Sequence, residues 1–218
     1  MNGLRTYDDP CGIARALDRV GERWALLVVR ELLLGPRRFT DLRAGLPGAS
    51  PNVLSQRLRE LEDSKVIQRR ALAPSGAATV YELTPWGRDL EPVILALARW
   101  GSRATPIPRG DLSTSALVIA LETTFDPEPA DLRGRIALRL DGESFCVEVN
   151  RKKLAVTRGP CDKPNATVTA DSRSLRAVAF GGQDLRHVVR EGNLQIEGDE
   201  ALAARFLASF KRPLPATG

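Results

Sequence analysis

The stretch ASPNVLSQRLRELEDSKVIQRRALAPSG, from Ala49 to Gly76, decides the fold of the first half of the chain. Ser50 and Pro51 are typical of the N-cap and first residue of a helix, which we expect to last until about Ser64. With a rotation of about 100° per residue, its apolar side chains form one stripe. That stripe consists of Leu54, Leu58 and Leu61.

The opposite face of this helix is polar, and apolar packing does not explain it. Asn and Gln side chains pair bidentately with adenine, and Arg side chains pair with guanine, in a major groove that admits a helix. We therefore take four residues as candidates for base contacts. They are Asn52, Ser55, Gln56 and Arg59. The ordinary alternative is the solvated face of a helical hairpin.

The neighbouring elements favour the DNA-binding interpretation. A short helix, FTDLRAGL, precedes the stretch, and Leu46-Pro47-Gly48 supplies the turn of a helix-turn-helix. Two strands, VIQRRAL and TVYELT, follow and are joined by APSGAA, which predicts a hairpin that serves as a wing. The candidates for phosphate contacts are Arg37, Arg38, Ser50, Arg57, Arg69 and Arg70.

Arg69 and Arg70 are adjacent on the first of these strands. Successive side chains of a strand point to opposite faces. We therefore expect only one of the two to reach a phosphate from a given face of the wing.

Three further helices complete the first half. We expect one from Asp9-Pro10 to Val20, and a second from Glu22 to Leu34. The third begins at Thr84-Pro85 and reads TPWGRDLEPVILALARWGSRA. Its apolar stripe is too wide for contact with one small domain alone, which indicates either a helix that contacts a second copy of the chain or an ordinary buried core helix. The candidates for dimer contacts are Leu90, Val93, Ile94, Leu97 and Trp100.

The charge is unevenly distributed along the 218 residues. Residues 1–105 hold 16 Lys and Arg against 12 Asp and Glu, whereas residues 106–218 hold 16 against 15. The basic surplus is therefore in the first half, where an anionic partner is expected. No apolar run approaches the roughly 20 residues of a membrane span, so we expect no membrane partner.

A Pro-rich break, TPIPRGD, separates two domains. We predict an α+β protein with a winged-helix DNA-binding and dimerisation domain at residues 1–104, a linker at 105–111 and a second domain at 112–218. The second domain should contain a helix, four alternating strands, two short helices, the strand-like LQIEGD and a last helix.

The first half resembles the HxlR-type winged-helix transcription regulators over about residues 7–101. The motifs that carry the resemblance are Cys11 before a helix, Trp24, RFTDL at 38–42, LSQRLRELE at 54–62 and YELTPWG at 81–87. Glu22-Arg23 replaces the family's usual Gly-Lys, and Lys65 replaces a usual Gly. The resemblance implies a homodimer that binds pseudo-palindromic DNA.

The chain has three widely spaced cysteines and one histidine. The odd number does not predict a disulfide framework, so a reducing cytoplasm is the expected location. Cys11 is a possible sensor of oxidants or electrophiles, although a small buried side chain is the interpretation that we favour slightly. Cys161 is expected to be a loop thiol, and His187 to be structural.

The second half resembles the sterol carrier protein domain, most clearly over residues 166–210, and that resemblance implies an apolar tunnel. The candidates for its lining are Phe125, Phe145, Phe180, Phe206 and Phe210, although such residues more often form an ordinary core.

We therefore expect a DNA-binding transcription regulator that represses as a homodimer and responds to a small hydrophobic effector. The alternative is a carrier of hydrophobic metabolites whose winged helix mediates protein interactions. We expect no enzyme, no cofactor and no metal, because the sequence has no clustered acid–base partners and only one histidine.

Overall fold

The structure is a computed structural model that describes residues 6–72, 79–106, 110–126, 132–151, 153–211 and 213–216. The chain divides into two compact units, Met1–Ile94 and Leu95–Gly218. The predicted APSGAA turn at 73–78 lies outside the described residues, as do residues 107–109 of the predicted linker. The boundary at residue 104 stays a prediction.

The first part of the chain forms six helices and one hairpin among its described residues. These elements are α1 Gly12–Val20, α2 Ala25–Leu33, α3 Phe39–Gly45, α4 Pro51–Asp63, β1 Ile67–Ala71, β2 Thr79–Leu83, α5 Pro85–Arg88 and α6 Glu91–Gly101. The predicted order of helix, turn, helix and hairpin is therefore present.

Helices α1 and α2 begin later than the sequence predicts. The Asp9 carboxylate accepts a hydrogen bond from the backbone N–H of Cys11 at 2.8 Å, so the expected cap forms a turn and Cys11 becomes the N-cap. Trp24 has a left-handed φ of 78°. The helix predicted from Glu22 can therefore begin only at Ala25.

The core of the first unit lies between α2, α3 and α4. The stripe of α4 predicted from periodicity is confirmed, because Leu54, Leu58 and Leu61 are 0% exposed. They pack in one cluster with Leu32 and Leu42, which are equally buried. Burial of each such side chain stabilises the fold by about 2 kcal/mol, so this cluster determines how α4 is seated.

The wing is an antiparallel pair in which Arg69 of β1 stands opposite Tyr81 of β2. Arg37 forms an isolated bridge to β2, because its N–H donates to the Tyr81 carbonyl at 2.9 Å and its carbonyl accepts from the Tyr81 N–H at 2.8 Å. Lys65, just before β1, has a φ of 61°. A glycine would adopt this conformation without a steric penalty.

The motif YELTPWG closes the wing against the start of α5. The Thr84 hydroxyl donates to the Lys65 carbonyl at 2.7 Å and accepts from the Gly87 N–H at 3.0 Å. A Cβ at Gly87 would lie 2.0 Å from the carbonyl oxygen of Val66. Only glycine therefore fits between α5 and the strand.

The helix predicted from Thr84 to Ala104 is interrupted. It divides into α5 and α6, with a turn at Asp89 and Leu90. Pro92 is the physical reason, because in one continuous helix its ring would clash with the carbonyl of Arg88 and it would lack an N–H to donate.

The second unit is a mixed sheet with helices. Its elements are α7 Thr114–Thr124, β3 Arg133–Leu140, β4 Glu143–Asn150, β5 Lys153–Arg158, β6 Ala166–Ala170, α8 Ser172–Gly181, α9 Leu185–Arg190, β7 Leu194–Gly198 and α10 Glu200–Leu207. The strand order is β5-β4-β3-β6-β7. β3 and β6 are parallel and the other neighbours are antiparallel. Every element expected from the pattern is present.

Cys146 and Cys161 form a disulfide, with their Cα atoms 4.6 Å apart. The expectation of unpaired thiols is wrong for these two residues. Cys146 lies on β4, and the chain returns through β5 to bring Cys161 beside it, a proximity that sequence spacing does not reveal. The argument from cysteine spacing to a reducing compartment therefore loses its basis.

Four of the five phenylalanines of the predicted aromatic pocket pack against one another. Phe206 and Phe210 are 0% and 7% exposed, and their rings meet edge to face at 5.0 Å. Phe125 and Phe180 are half-buried, with ring centroids 6.3 and 6.2 Å from that of Phe210. Phe145 is fully buried and lies under the Arg158 guanidinium, 5.2 Å from its ring. Phe145, Phe206 and Phe210 are therefore core residues, whereas Phe125 and Phe180 keep some exposed surface, and an effector pocket at these residues stays a prediction.

A concavity of about 400 Å³ in this unit is polar. It is lined by Asp111, Leu112, Asp141, Asp171, Ser172, Arg173 and Arg176. The phenylalanines do not line it. Across the described residues, the helices are all too short or too polar to cross a membrane.

We expect Gly87→Ala to lower the free energy of unfolding by about 2–3 kcal/mol, because the new Cβ must displace the Val66 carbonyl. Thermal or denaturant unfolding measures this. Gly101→Ala is the matched control, since no described heavy atom outside its own helix lies within 4 Å of the added Cβ. Equal stability of the two variants would contradict the packing described for Gly87.

Candidate nucleic-acid interface

The outer face of α4 carries the residues predicted to contact bases. Asn52, Gln56 and Arg59 are exposed, and Ser55 is half-buried at the edge of the face. Among the described residues, Arg59 has no carboxylate partner. The helix begins in the open, with the Ser50 hydroxyl accepting from the Val53 N–H at 3.3 Å. Ser50 is therefore the N-cap of α4. Because this N-terminus is exposed, its backbone N–H groups are suited to bind an anion.

Two polar residues of α4 are joined one turn apart. The Gln56 side-chain nitrogen donates to a carboxylate oxygen of Glu60 at 3.0 Å. The other oxygen of Glu60 accepts from the Arg57 guanidinium. Gln56 on the outer face of α4 is thus connected through Glu60 to Arg57 at the side of the helix.

Arg57 does not belong to the proposed phosphate contacts. Its side chain is 9% exposed and forms ion pairs with Glu60 and, at 3.6 Å, with Glu22. Position 57 is three residues after Leu54 and four before Leu61, so the helix places it beside the buried leucine stripe. The sequence does not show that Glu22 is also within reach of the Arg57 side chain.

The two wing arginines have different carboxylate partners, as expected for side chains on opposite faces. Arg69 pairs with Glu62 of α4 at 3.0 Å and lies over the Tyr81 ring at 5.3 Å. Arg70 pairs with Glu82 at 2.9 Å. Hydrogen bonds from Gln68 and Arg70 lower the pKa of the Glu82 carboxyl, which keeps this partner ionised. Both guanidinium groups are about half exposed, so each keeps N–H groups that face solvent.

The other predicted phosphate contacts lie at the start of α3. Arg38 is exposed, and its N–H donates to the Asp41 carboxylate at 3.1 Å. Arg37 is half-buried, with its backbone in the wing.

Sequence reasoning missed Thr40 and Arg43, both exposed on α3. They line a concavity of about 670 Å³ together with Ala44, Pro47, Gly48, Ala49, Ser50 and Pro51. This groove joins the outside of α3 to the N-terminus of α4. The signal was available, because Leu42 is the buried residue of α3 and Thr40 and Arg43 therefore face outward.

The apolar stripe of α6 has two faces. Val93, Leu97 and Trp100 are 52%, 45% and 75% exposed. Ile94 is buried and Leu90 is half-buried, and both pack in the core of the first unit. The five predicted dimer contacts are therefore reduced to the three exposed residues, because the other two are already covered. On α1, Ile13 and Leu17 are also exposed.

Cys11 is a free and exposed thiol, so the interpretation of a small buried side chain is wrong. Hydrogen bonds from the backbone N–H groups of Ile13 and then Ala14 lower the pKa of this thiol. These donors are the unpaired amides at the N-terminus of α1, which stabilise the thiolate. His187 is exposed, with its Nε2 3.2 Å from a carboxylate oxygen of Glu191.

The fold and the exposed face of α4 define a winged helix-turn-helix protein. Residues 19–107 match the family described as HxlR-like helix-turn-helix. The chain belongs to this family through its first half. Residues 123–216 match a different family, described as alkyl sulfatase C-terminal, so the sterol carrier resemblance of the second half is not confirmed.

The relatives that match the first half of the chain include three bacterial regulators. The HTH-type transcriptional regulator YvaP of Bacillus subtilis is 36% identical over 88 residues, which are 40% of this chain and 82% of YvaP. The regulator sll1512 of Synechocystis is 38% identical over 42% of this chain and 68% of its own. YodB of B. subtilis is 31% identical over 40% of this chain and 79% of YodB. These relatives are named as transcriptional regulators.

Quinone-bound YodB has a solved structure. It superposes with a TM-score of 0.37 at 28% identity, covering 42% of this chain and 97% of that one.

The different positions of Arg57 and Arg59 predict different effects on stability. Arg57→Ala should lower the free energy of unfolding by about 2 kcal/mol, because it leaves Glu60 without its buried partner. Arg59→Ala should change stability by less than about 0.5 kcal/mol, since the side chain is exposed. Denaturant titration of both variants measures this. A similar loss for the two would contradict the burial of Arg57.

Proposed function

We propose that this protein is a transcriptional repressor that binds a pseudo-palindromic operator as a homodimer. The observation that carries the proposal is the outer face of α4. Asn52, Gln56 and Arg59 are exposed there, above a fully buried leucine stripe. These side chains have the donors and acceptors that distinguish adenine and guanine in the major groove.

The proposed phosphate contacts surround this face. Ser50 and Arg43 lie beside the exposed N-terminus of α4, where the helix dipole favours an anion. Arg38 lies at the start of α3, and Arg37, Arg69 and Arg70 belong to the wing. Phosphate contacts fix the register of a protein on DNA, whereas contacts to base edges select the sequence.

The proposed dimer contact uses the outer face of α6. Val93, Leu97 and Trp100 lie within about 60° of one another on the helix and are substantially exposed. Three large apolar side chains at this spacing lose contact with water when a second copy covers them. Ile13 and Leu17 of α1 add exposed apolar area.

Repression is the mode of regulation that we expect from a homodimer bound at a promoter. A compact dimer on a promoter blocks polymerase without any activating surface. The proposed location is the cytoplasm, where bacterial DNA is accessible to such a protein.

Two features are candidates for receiving a signal. Cys11 is an exposed thiol with a lowered pKa, and the relative YodB has been solved with quinone bound. The second unit, proposed to resemble a sterol carrier domain, is the other candidate. Phe145, Phe206 and Phe210 are core residues there, so a hydrophobic effector would have to enter at half-buried Phe125 and Phe180.

The competing function is a carrier of hydrophobic metabolites whose winged helix binds proteins. Abundant lipid co-purifying with the chain, without sequence-specific DNA binding, would favour that function.

Selection of bound genomic fragments should recover half-sites about 34 Å apart, one helical turn of DNA. With about six to eight phosphate contacts, the slope of log affinity against log salt should be about −5 to −7. Arg59→Ala should cost about 1–3 kcal/mol and relax the preference at one base pair. Arg38→Ala is the control, expected to weaken all sequences alike. Equal losses on operator and random DNA for Arg59→Ala would remove Arg59 from the base contacts.

Quinone or peroxide treatment tests the thiol. If Cys11 is the sensor, the oxidant or electrophile releases the wild-type protein from its operator, and Cys11→Ser binds normally but does not respond. Because the pKa is lowered, the thiolate persists to lower pH, and the rate of modification should fall only as pH falls through that lowered pKa. A full response of Cys11→Ser would assign sensing to another site, with the second unit as the next candidate.

A further inference from the structure

The amide of Gln56 is held in one orientation. Its nitrogen lies 3.0 Å from an oxygen of Glu60, one turn further along α4. An ionised carboxylate can only accept hydrogen bonds. The nitrogen of the amide must therefore face Glu60, and the amide oxygen must face away from it.

That orientation leaves the groups that adenine requires. A bidentate pair with adenine uses the amide oxygen and one N–H. The Gln56 amide has two N–H groups. Glu60 accepts one, so the other N–H and the oxygen remain for a base. Without a fixed partner the amide could rotate by 180° and exchange its donor and acceptor.

The carboxylate of Glu60 is itself anchored. Arg57 binds its other oxygen and also pairs with Glu22 at 3.6 Å. Arg57 is 9% exposed and Glu60 is 27% exposed at the side chain, so this pair forms part of the packed side of α4. The Arg57 charge also offsets the negative charge of Glu60, which would otherwise repel DNA phosphates.

We propose that Glu60 is a specificity-determining residue that positions the Gln56 amide to distinguish one base pair of the operator. This inference rests on the proposed DNA-binding function. Glu60 acts through Gln56 and makes no base contact of its own. Arg57 contributes by holding Glu60, which gives this buried arginine a role in recognition although it touches no phosphate.

The experiment uses the full-length protein and the operator selected by the wild type. Affinity is measured for the operator and for each single base-pair substitution, with Gln56→Ala, Glu60→Ala and the double variant. Glu60→Ala should lose discrimination by about tenfold at the same base pair as Gln56→Ala. The double variant should lose no more than Gln56→Ala alone, because both changes remove one interaction. Affinity for random DNA should not fall in Glu60→Ala, because the change removes a negative charge and leaves Arg57.

Glu62→Ala is the matched control. Glu62 lies on the same helix, is 32% exposed and pairs with Arg69 at 3.0 Å. Glu62→Ala removes the same charge as Glu60→Ala but leaves the Gln56–Glu60 hydrogen bond in place. Discrimination at the Gln56 base pair should therefore be retained. Glu60→Gln is the second variant if Glu60→Ala unfolds. Its neutral amide keeps the shape but can present either an acceptor or a donor to Gln56, so it should also lose discrimination there.

The outcomes separate the two proposals. Wild-type protein that enriches no fragment overturns the repressor, and this inference with it. Specific binding in which Glu60→Ala or Glu60→Gln keeps full discrimination at the Gln56 base pair overturns the role of Glu60 alone. Additive losses in the double variant, or no base pair affected by Gln56→Ala, also overturn it and leave the DNA-binding function intact.

Discussion

Burial of three leucines on α4 is the constraint on which the DNA-binding unit depends. Leu54, Leu58 and Leu61 have no exposed surface, and turning the helix about its axis would bring them into water. At about 2 kcal/mol for each side chain, such a rotation is strongly disfavoured. Their burial fixes which residues face outward. The burial of the leucines therefore determines which polar residues of α4 are exposed.

Local patterns in the sequence predicted most of this architecture. The leucines of α4 repeat with the period of a helix, and Ser50-Pro51 marks the start of that helix. Residues close together in the sequence are therefore enough to predict α4. The alternating strands of the second half are predicted for the same reason. The break between α5 and α6 was also visible locally at Pro92. The apolar stripe continues past Pro92, and for that reason one unbroken helix was predicted.

Interactions between distant residues were not predictable. Arg57 and Arg59 are two positions apart on one helix, yet one is an internal ion-pair partner and the other is exposed. Helix periodicity places Arg57 beside the leucine stripe, but the sequence does not show that Glu22, which belongs to another part of the chain, is also within reach of it. Cys146 and Cys161 meet only because β5 returns the chain to β4. Cys11 is exposed at the N-cap of α1, after a turn that Asp9 closes. In each case the partner, rather than the residue type, decides the role.

The backbone bridge between Arg37 and Tyr81 has a mechanical consequence. Arg37 lies just before α3, and Tyr81 is the middle residue of β2. Their two hydrogen bonds connect the beginning of the helix-turn-helix to the wing, although the two residues are far apart along the chain. The bridge therefore ties the position of the wing to the backbone just before α3 by a route that does not include α4.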